Sequence, residues 1–229
     1  MEDIAIVLAG GRGSRMKSAS PKQFMLLGGK EIIYYSLKAF ENSKVSKVIL
    51  VTGEDYIDFC QKEIVDKYGL TKVEKIVAGG AERYDSVYSG LKNAGECGYV
   101  YIHDGARPFI TTDLINRMYD EVRRCDALIA AVPSKDTIKV ADDDGFVKET
   151  PERRTLWSVQ TPQVFRYDII MEAYEKMMAD EHEGITDDAM VYERYGDGKV
   201  KLFTADYSNI KITTPEDMIM GENFLKKFQ

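Results

Sequence analysis

Histidine and cysteine are both scarce in this 229-residue chain. The only histidines are His103 and His182, which are too few for a zinc site built from histidine ligands. The three cysteines, Cys60, Cys97 and Cys125, are widely spaced and odd in number. They therefore predict neither a disulfide framework nor a paired-cysteine metal site, and they are typical of a protein of the reducing cytoplasm.

Long apolar runs are also missing, so the sequence predicts no membrane-spanning helix. The first charged residues, Glu2 and Asp3, are acidic, unlike the basic start of a signal peptide. A net charge of -7 argues against a protein that coats nucleic acid. We therefore expect a cytoplasmic protein whose partners include neither a membrane nor a nucleic acid.

Short apolar runs alternate with amphipathic segments along most of the chain. This alternation predicts βαβ units, and hence an α/β fold with a Rossmann-like, mostly parallel sheet and helices on both faces. The predicted strands are residues 4–8, 47–52, 73–78, 99–103, 127–132 and 199–203. The predicted helices are residues 32–42, 55–67, 86–94, 112–123 and 167–178, with a last helix that begins at Pro215.

The alternation breaks at about residues 134–156. Two short polar segments, residues 136–140 and 145–149, flank an acidic stretch that ends at Gly145, a residue suited to a turn. One interpretation is a solvated surface hairpin. Because isolated hairpins are marginally stable in water, the other is a protruding β-arm that packs on a second subunit. We expect a single domain over residues 1–229 that carries this arm.

A glycine-rich basic loop follows the first predicted strand. Residues 10–22 contain no acidic residue, although the chain as a whole is acidic. The basic residues of the loop are Arg12, Arg15, Lys17 and Lys22. Glycines let backbone amides approach phosphate oxygens, and ligands of such sheets bind beyond the carboxyl ends of the strands. The loop lacks the ending of a Walker motif, and Met16 breaks the dinucleotide fingerprint. We interpret it as a phosphate-binding loop rather than a solvated surface loop.

Two further strand ends carry candidate site residues. Gly79-Gly80 leaves backbone exposed for a base or a ribose, and Asp85 or Ser86 is predicted to cap the helix that follows. Asp104, at the end of the strand at residues 99–103, is suited to face a metal–phosphate group. The alternative for this turn is a surface Asp–Arg pair, which contributes little energy. His103 is interpreted as a hydrogen-bonded structural residue.

No nucleophile–base pair stands out, which suits phosphoryl or nucleotidyl transfer, where positioning and charge neutralisation dominate catalysis. Seven ordered blocks resemble the sugar-phosphate cytidylyltransferases of the nucleotidyltransferase superfamily, and the resemblance runs from residue 4 to about residue 225. Within these, the chain is most similar to the methylerythritol phosphate cytidylyltransferases. The blocks are GGRGSRM with PKQF, GGAERYDSV, HDGARPF, PSKDTIK, LWSVQTPQVF, ITDDA and SNIKITTPEDM.

The resemblance implies transfer of CMP from CTP to 2-C-methyl-D-erythritol 4-phosphate, with Mg²⁺ as cofactor and pyrophosphate as the second product. It also implies a homodimer formed through the β-arm. Gly10 and the stretch Tyr207-Ser208-Asn209 instead resemble the sister enzymes that use D-ribitol 5-phosphate, so this sugar-alcohol phosphate is the alternative acceptor. A catalytically silent nucleotide-binding regulator is disfavoured because all three phosphate-neutralising cations, Arg15, Lys22 and Lys211, are present.

Residue roles follow from the match to the motifs of this family. The resemblance implies catalytic roles for Arg15, Lys22 and Lys211. It implies CTP binding by Ala9, Gly10, Gly11, Gly80, Ala81, Asp85, Ser86 and Asp104, with Asp104 also beside the metal. It implies binding of the sugar phosphate by Arg107, Thr137, Lys139, Arg153 and Thr161. Counting back from Trp157 selects Arg153 over its neighbour Arg154. Thr137 and Arg153 lie on the arm and would complete the site of a second subunit.

Overall fold

A computed structural model of the protein describes residues 1–11 and 21–228, with all their side chains except those of residues 227 and 228. The strands are β1 (Ile4–Ala9), β2 (Leu26–Leu27), β3 (Lys30–Glu31), β4 (Lys47–Thr52), β5 (Val73–Ala78), β6 (Tyr99–Asp104), β7 (Ala127–Pro133), β8 (Val140–Ala141), β9 (Val147–Glu149), β10 (Trp157–Arg166) and β11 (Lys201–Thr204). The helices are α1 (Ile32–Glu41), α2 (Ile57–Phe59), α3 (Arg83–Ala94), α4 (Thr112–Val122), α5 (Tyr167–Ala179), α6 (Asp188–Tyr195) and α7 (Pro215–Phe228). No helix in these ranges is both long and apolar enough to cross a bilayer.

Seven strands form one central sheet in the order β11-β7-β10-β6-β1-β4-β5. Strand β10 runs antiparallel to both of its neighbours, β6 and β7. All other neighbouring pairs in this sheet are parallel. The prediction of a mostly parallel sheet is therefore confirmed. The carboxyl ends of β1, β5 and β6 meet at one edge, where the predicted site motifs also lie.

The centre of the sheet is buried on both faces, and β1 shows why the sequence folds this way. Successive side chains of a strand point to opposite faces. Ala5 and Val7 join the core cluster beneath α1 and α4, whereas Ile4 and Ile6 join the cluster beneath α3, α5 and α6. Because both sets are apolar, the strand reads as a continuous hydrophobic run, as is usual for a parallel strand covered on both faces. The prediction of helices on both faces is confirmed.

Besides the two-residue strands β2 and β3, strand β10 and helix α6 were not predicted from the sequence. Strand β10 contains Pro162 and several polar residues, a composition that argues against a central strand. The strand accommodates the proline at an irregularity, because its register against β7 shifts between Val159 and Gln163. Helix α6 begins in the ITDDA block, where the side chain of Asp187 caps it by accepting a hydrogen bond from the Met190 amide. That cap followed by apolar residues is a helix-start signal that was available in the sequence.

The helix predicted at residues 55–67 is present but irregular. It comprises a 3₁₀ turn at Glu54–Tyr56, the single turn α2 and a π-helical segment at Cys60–Asp66. The buried side chains of this segment are Cys60, Ile64 and Val65. Their spacings of four and five residues suit the wider π turn, which brings all three to the core.

The predicted β-arm is a hairpin separate from the central sheet. Strands β8 and β9 pair antiparallel and are shorter than the predicted segments. The carboxylate of Asp142 accepts a hydrogen bond from the Phe146 amide, and Gly145 adopts a φ of 85° in the turn. Every side chain from residue 135 to residue 150 is exposed, including Phe146 and Val147. The hairpin therefore buries no core of its own within the described chain.

Candidate active site

Two adjoining clefts open at the carboxyl edge of the sheet, where ligands of open α/β sheets bind. The glycine cleft is lined by Gly10, Gly11, Lys22, Gly80 and Ala81, among others. The β10 cleft is lined by Arg107, Gln160, Thr161, Thr186 and Asp187, among others. Both clefts are lined by Arg83, Asp104 and Lys211. The fold thus brings most of the residues proposed for CTP to one cleft and two of those proposed for the sugar phosphate to the other.

The glycine cleft depends on a close approach between the end of β5 and the start of α3. A Cβ atom on Gly80 would lie 2.3 Å from the Cβ of Asp85, and one on Gly79 would lie 2.6 Å from the Oγ of Ser86. The Ser86 hydroxyl accepts a hydrogen bond from the Gly80 amide at 3.2 Å and donates one to the Glu82 carbonyl at 3.2 Å. These contacts hold the Gly80 backbone at the cleft wall, and any larger residue would displace it.

The predicted cap of this helix is wrong by three to four residues. Helix α3 begins at Arg83 and its N-cap is Glu82, because a capping box closes the turn earlier than the sequence suggested. The Asp85 carboxylate accepts a hydrogen bond from the Glu82 amide at 3.0 Å and does not line either cleft. Ala9 does not line them either. It is buried at the end of β1, where its carbonyl accepts a hydrogen bond from the Gln23 side chain.

Asp104 lies at the junction of the two clefts and binds a cation with each carboxylate oxygen. The Arg83 Nε lies 3.2 Å from Oδ1, and the Lys211 Nζ lies 2.8 Å from Oδ2. Burial alone would raise the pKa of Asp104, but the charges of Arg83 and Lys211 outweigh it and hold this pKa well below its usual range. The carboxylate is therefore ionised at neutral pH and is available to a cation.

Arg83 lines both clefts, although sequence reasoning gave it no role. Its guanidinium binds Asp188 through two hydrogen bonds of 2.9 and 2.7 Å, and the Tyr174 hydroxyl donates a third to Asp188 at 2.7 Å. Burial would lower the pKa of Arg83, but the carboxylates of Asp188 and Asp104 outweigh burial and raise it. The GGAERYDSV and ITDDA blocks contained both residues of this pair, but nothing in the sequence linked them.

Lys211 is presented by a loop that is fixed on both sides. The Asn209 side chain donates hydrogen bonds to the Gln160 Oε1 and to the Thr161 carbonyl, both at 2.9 Å. Ile212 is fully buried, and its amide donates to the Ala106 carbonyl at 2.8 Å. The backbone on either side of Lys211 is therefore held against β10 and the turn after β6, which aims the side chain at the cleft junction.

His103 is structural, as interpreted from the sequence. It is fully buried, with its Nε2 3.3 Å from the Ser36 Oγ and its Nδ1 3.0 Å from the Thr161 Oγ1. Burial is the main cause that lowers the pKa of His103 to about 3. The imidazole is therefore neutral in the folded protein throughout the physiological range, and it links α1 to β10 behind the site.

A pH-dependent contribution to stability follows from His103. Between about pH 6.5, the ordinary histidine pKa, and about pH 3, the unfolded chain binds a proton at this position that the folded protein does not. The contribution of His103 is therefore complete above about pH 6.5 and is lost as the pH falls, by up to about 1.4 kcal/mol per pH unit. Urea unfolding of the wild type and of His103→Gln from pH 7 to pH 4 measures it. We expect the stability advantage of the wild type to shrink as the pH falls; a constant difference would contradict the assignment.

The β10 cleft contains a buried cation and a hydroxyl that is already bonded. Arg107 donates a hydrogen bond to the Asn209 carbonyl at 2.8 Å, whereas its buried Nε has no hydrogen-bond partner among the described residues. The Thr161 hydroxyl accepts from the Asp104 amide at 3.1 Å and also contacts His103. In the described protomer, Thr161 therefore holds the Asp104 backbone, while Arg107 brings a positive charge to the wall of the cleft.

The other predicted residues for the sugar phosphate lie on the arm, away from both clefts. Lys139 donates to the Thr150 hydroxyl at 2.7 Å, and Arg153 lies 3.4 Å from the Lys135 carbonyl. Thr137, Lys139 and Arg153 are all exposed, and none lines a cleft of its own protomer. Arg15 falls outside the described residues, so its catalytic role stays a prediction from the sequence.

The donor set fits a magnesium ion that arrives with a nucleotide. Within residues 1–11 and 21–228, no group of three or more His, Cys, Asp or Glu side chains forms a complete metal site. Mg²⁺ is commonly held by one or two carboxylates together with substrate phosphates rather than by an all-protein cage. Asp104 is one such carboxylate at the cleft junction, whereas Asp188 is fully buried and bound to Arg83.

Comparison with known proteins decides the family. The family model described as IspD, 2-C-methyl-D-erythritol 4-phosphate cytidylyltransferase, matches residues 4–227. The chain belongs to this family. A relative with that name from Lachnospira eligens is 55% identical over 224 residues, which cover 97% of this chain and 98% of the relative. Another from Lachnoclostridium phytofermentans is 48% identical over 225 residues, covering 98% and 97%.

A solved structure also resembles this IspD family member over nearly its whole length. The 4-diphosphocytidyl-2C-methyl-D-erythritol synthase from Anaerococcus prevotii superposes with a TM-score of 0.86 at 35% identity, covering 98% of this chain and 96% of that one. The resemblance drawn from the seven sequence blocks is thus confirmed, as are the α/β fold and the class of enzyme. These relatives carry the name of the methylerythritol enzyme, so they support the first acceptor over ribitol phosphate.

Proposed function

We propose that the protein transfers CMP from CTP to 2-C-methyl-D-erythritol 4-phosphate, which gives 4-diphosphocytidyl-2-C-methyl-D-erythritol and pyrophosphate. The observation that carries this proposal is that the two clefts share Arg83, Asp104 and Lys211. A nucleotide in the glycine cleft and a sugar phosphate in the β10 cleft would meet at these three charged side chains. The relatives named for this reaction, at up to 55% identity, support the same assignment.

Direct attack by the sugar phosphate on the α-phosphorus suits this junction. A phosphate oxygen of the acceptor forms the new bond, and pyrophosphate leaves with the electrons of the bond that breaks. Lys211, at the junction, is placed to neutralise charge on the α-phosphate, and Lys22 lines the cleft proposed for the triphosphate. Such preorganised cations stabilise the charge that develops in the transition state. Arg107, whose positive charge lies at the wall of the β10 cleft, suits the phosphate of the acceptor.

Mg²⁺ is proposed as the cofactor, held by Asp104 together with the phosphates of CTP. When bound, the ion would supply further neutralisation of the triphosphate charge and help to orient it. The part of the protein is to keep Asp104 ionised and aimed at the junction, which the Thr161 hydroxyl and the cations beside Asp104 achieve.

Pyrophosphate release from CTP tests the function. The purified protein is incubated with CTP and Mg²⁺, and separate reactions receive 2-C-methyl-D-erythritol 4-phosphate or D-ribitol 5-phosphate. We expect release with the methylerythritol substrate. Release only with ribitol 5-phosphate would mean that this compound is the acceptor, as the resemblance at Gly10 and Tyr207-Ser208-Asn209 indicates. Release with neither acceptor would overturn the proposed activity.

We further propose a single-domain cytoplasmic enzyme that dimerises through the β-arm and binds no nucleic acid. The support for a dimer is the arm itself, which exposes Phe146 and Val147 and has no core of its own in the described chain. Arm strands this short are marginal unless they pack on something else. A second copy of the chain would cover the exposed arm strands. Thr137 and Arg153 of one subunit would then lie at the β10 cleft of the other subunit.

Replacing Arg153 by alanine is expected to raise the KM for the sugar phosphate by about tenfold or more, because a charge-assisted contact to phosphate is lost, and to leave the KM for CTP nearly unchanged. Arg154→Ala is the matched control, since Arg154 is adjacent, equally charged and paired with Glu152. Steady-state kinetics with each substrate varied in turn measures both constants. An effect confined to the KM for CTP would contradict the role of Arg153.

Mixed dimers test whether the arm acts across subunits. Subunits carrying Arg153→Ala are combined with subunits carrying Lys211→Ala and assayed at a low concentration of sugar phosphate. If the arm crosses, each mixed dimer contains one site with both native residues, so activity exceeds the sum of the two parent variants. If the arm serves its own subunit, mixing restores nothing, and the proposal of a crossing arm fails.

A further inference from the structure

Asp104 is held by two cations that differ in how firmly they are themselves held. Lys211 binds Oδ2 of Asp104 from a flexible four-carbon side chain whose exposed fraction is 36%, and Asp104 is its only ion-pair partner among the described residues. Arg83 binds Oδ1 from a guanidinium that is also fixed by two hydrogen bonds to Asp188. The two oxygens of one carboxylate are therefore not equivalent.

Asp188 is a firm anchor for Arg83. Its side chain has an exposed fraction of 0%, and the buried Tyr174 hydroxyl donates to the oxygen that also accepts from Nη1 of Arg83. A planar guanidinium can bind Asp188 with its two terminal nitrogens while its Nε faces Asp104, which a lysine ammonium at the same position could not do. The geometry thus ties the start of α6 to the end of β6 through one side chain of α3.

The cations that act on Asp104 also oppose the binding of a free divalent cation there. Three cations, Arg83, Arg107 and Lys211, act on the carboxylate of Asp104, whereas the ion pair of Asp188 is with Arg83. An ion that comes with triphosphate oxygens brings negative charge that can draw the mobile lysine away. An ion without nucleotide must instead displace Lys211 from Oδ2 with no such compensation.

We propose that Arg83, anchored by Asp188, is a positioning residue that fixes Oδ1 of Asp104. The other oxygen, Oδ2, is exchangeable: Lys211 leaves it when nucleotide phosphates bind, and a divalent cation takes its place. This inference rests on the proposed function only in taking the nucleotide to be CTP. Arg83 and Asp188 thus orient the Asp104 carboxylate in addition to stabilising the fold. The Lys211–Asp104 ion pair keeps a divalent cation off Oδ2 until a nucleotide binds.

Mn²⁺ binding to the nucleotide-free protein tests the inference without any turnover. The electron paramagnetic resonance signal of free Mn²⁺ is followed as protein is titrated, with concentrations extended to the millimolar range. Lys211→Met frees Oδ2 and removes one cation, so we expect it to bind Mn²⁺ at least tenfold more tightly than the wild type. Lys44→Met makes the same charge change in a surface ion pair with Asp120 and should leave the affinity unchanged. Equal affinity of Lys211→Met and wild type would overturn the exchange.

Arg83→Lys, added to Lys211→Met, tests the positioning role. The substitution keeps the positive charge but cannot engage Asp188 and Asp104 together, so the tenfold gain should be lost. Asp188→Asn in the same Lys211→Met background removes the anchor from the other side and should have the same effect. Tight Mn²⁺ binding in both double variants would overturn the role of Arg83. Thermal melting of each variant shows that the folded protein is compared. Because no titration contains CTP, these outcomes are independent of whether the proposed transfer occurs.

Discussion

Lys211→Ala is expected to lower kcat by about 10²- to 10³-fold while the fold stays intact. Lys211 lines both clefts, and its ammonium points at their junction, where the α-phosphate and the attacking phosphate would meet. Removing one preorganised donor aimed at transition-state charge typically costs this much in rate. Steady-state kinetics with CTP and the sugar phosphate measures the change. The loss should fall on kcat more than on either KM, because the interaction strengthens in the transition state.

The fold should survive because Lys211 is partly exposed and because Asp104 keeps its contact with Arg83. Lys44→Ala is the matched control. This substitution removes the same charge and a surface ion pair with Asp120. Lys44 lies just before the amino end of β4, and therefore at the edge of the sheet opposite the site. We expect wild-type kcat from this control. If Lys211→Ala retained a kcat within threefold of the wild-type value, the catalytic role of Lys211 would be contradicted.

The central parallel strands β1, β4 and β6 were predictable because each is a short apolar run buried on both faces. Val73–Ala78 and Lys47–Thr52 match the predicted bounds, and β1, β6 and β7 each extend one residue further. Hydrophobic burial determines these segments locally, since few other arrangements of such a run are stable in water. The site loops were predictable for a related reason, because glycines after a strand signal a close approach of backbone to ligand or to a neighbouring helix.

Strand β10 was not predictable in the same way, because its sequence contradicts its place in the fold. Gln160, Thr161 and Gln163 are polar yet buried, and each is used by a partner far along the chain. Thr161 holds Asp104, and Gln163 donates to Asp187 and accepts from the Ala189 amide. Tertiary hydrogen bonds compensate here for the polar groups that burial would otherwise penalise. Local propensity carries no information about such partners.

The contact between Arg83 and Asp188 was hidden for the same reason. The two residues are 105 positions apart, and their pairing depends on how α3, α5 and α6 pack together. The sequence identified the cations nearest the glycine loop, where spacing carries a signal. It could not identify a cation whose function depends on a distant carboxylate.

Asp188→Ala is expected to destabilise the protein by about 3 kcal/mol, the lower end of the cost of breaking a buried ion pair by removing one partner. Two groups lose their acceptor at once: the guanidinium of Arg83 and the buried hydroxyl of Tyr174. The cost stays at the lower end because the exposed fraction of the Arg83 side chain is 30% and because Asp104 still faces it. The midpoint of urea unfolding, at unchanged m-value, measures the loss.

Asp113→Ala provides the comparison, because Asp113 pairs with Arg117 at 2.8 Å between two exposed side chains. We expect it to cost about 1 kcal/mol or less, as surface ion pairs usually do. Equal effects of the two substitutions would mean that the Asp188 ion pair is no more than a surface contact. A large effect of Asp188→Ala alone would establish a buried polar network that joins three helices to the end of β6. The same network then both stabilises the fold and orients Asp104, so unfolding and Mn²⁺ titrations of Asp188 variants should be measured on the same preparations.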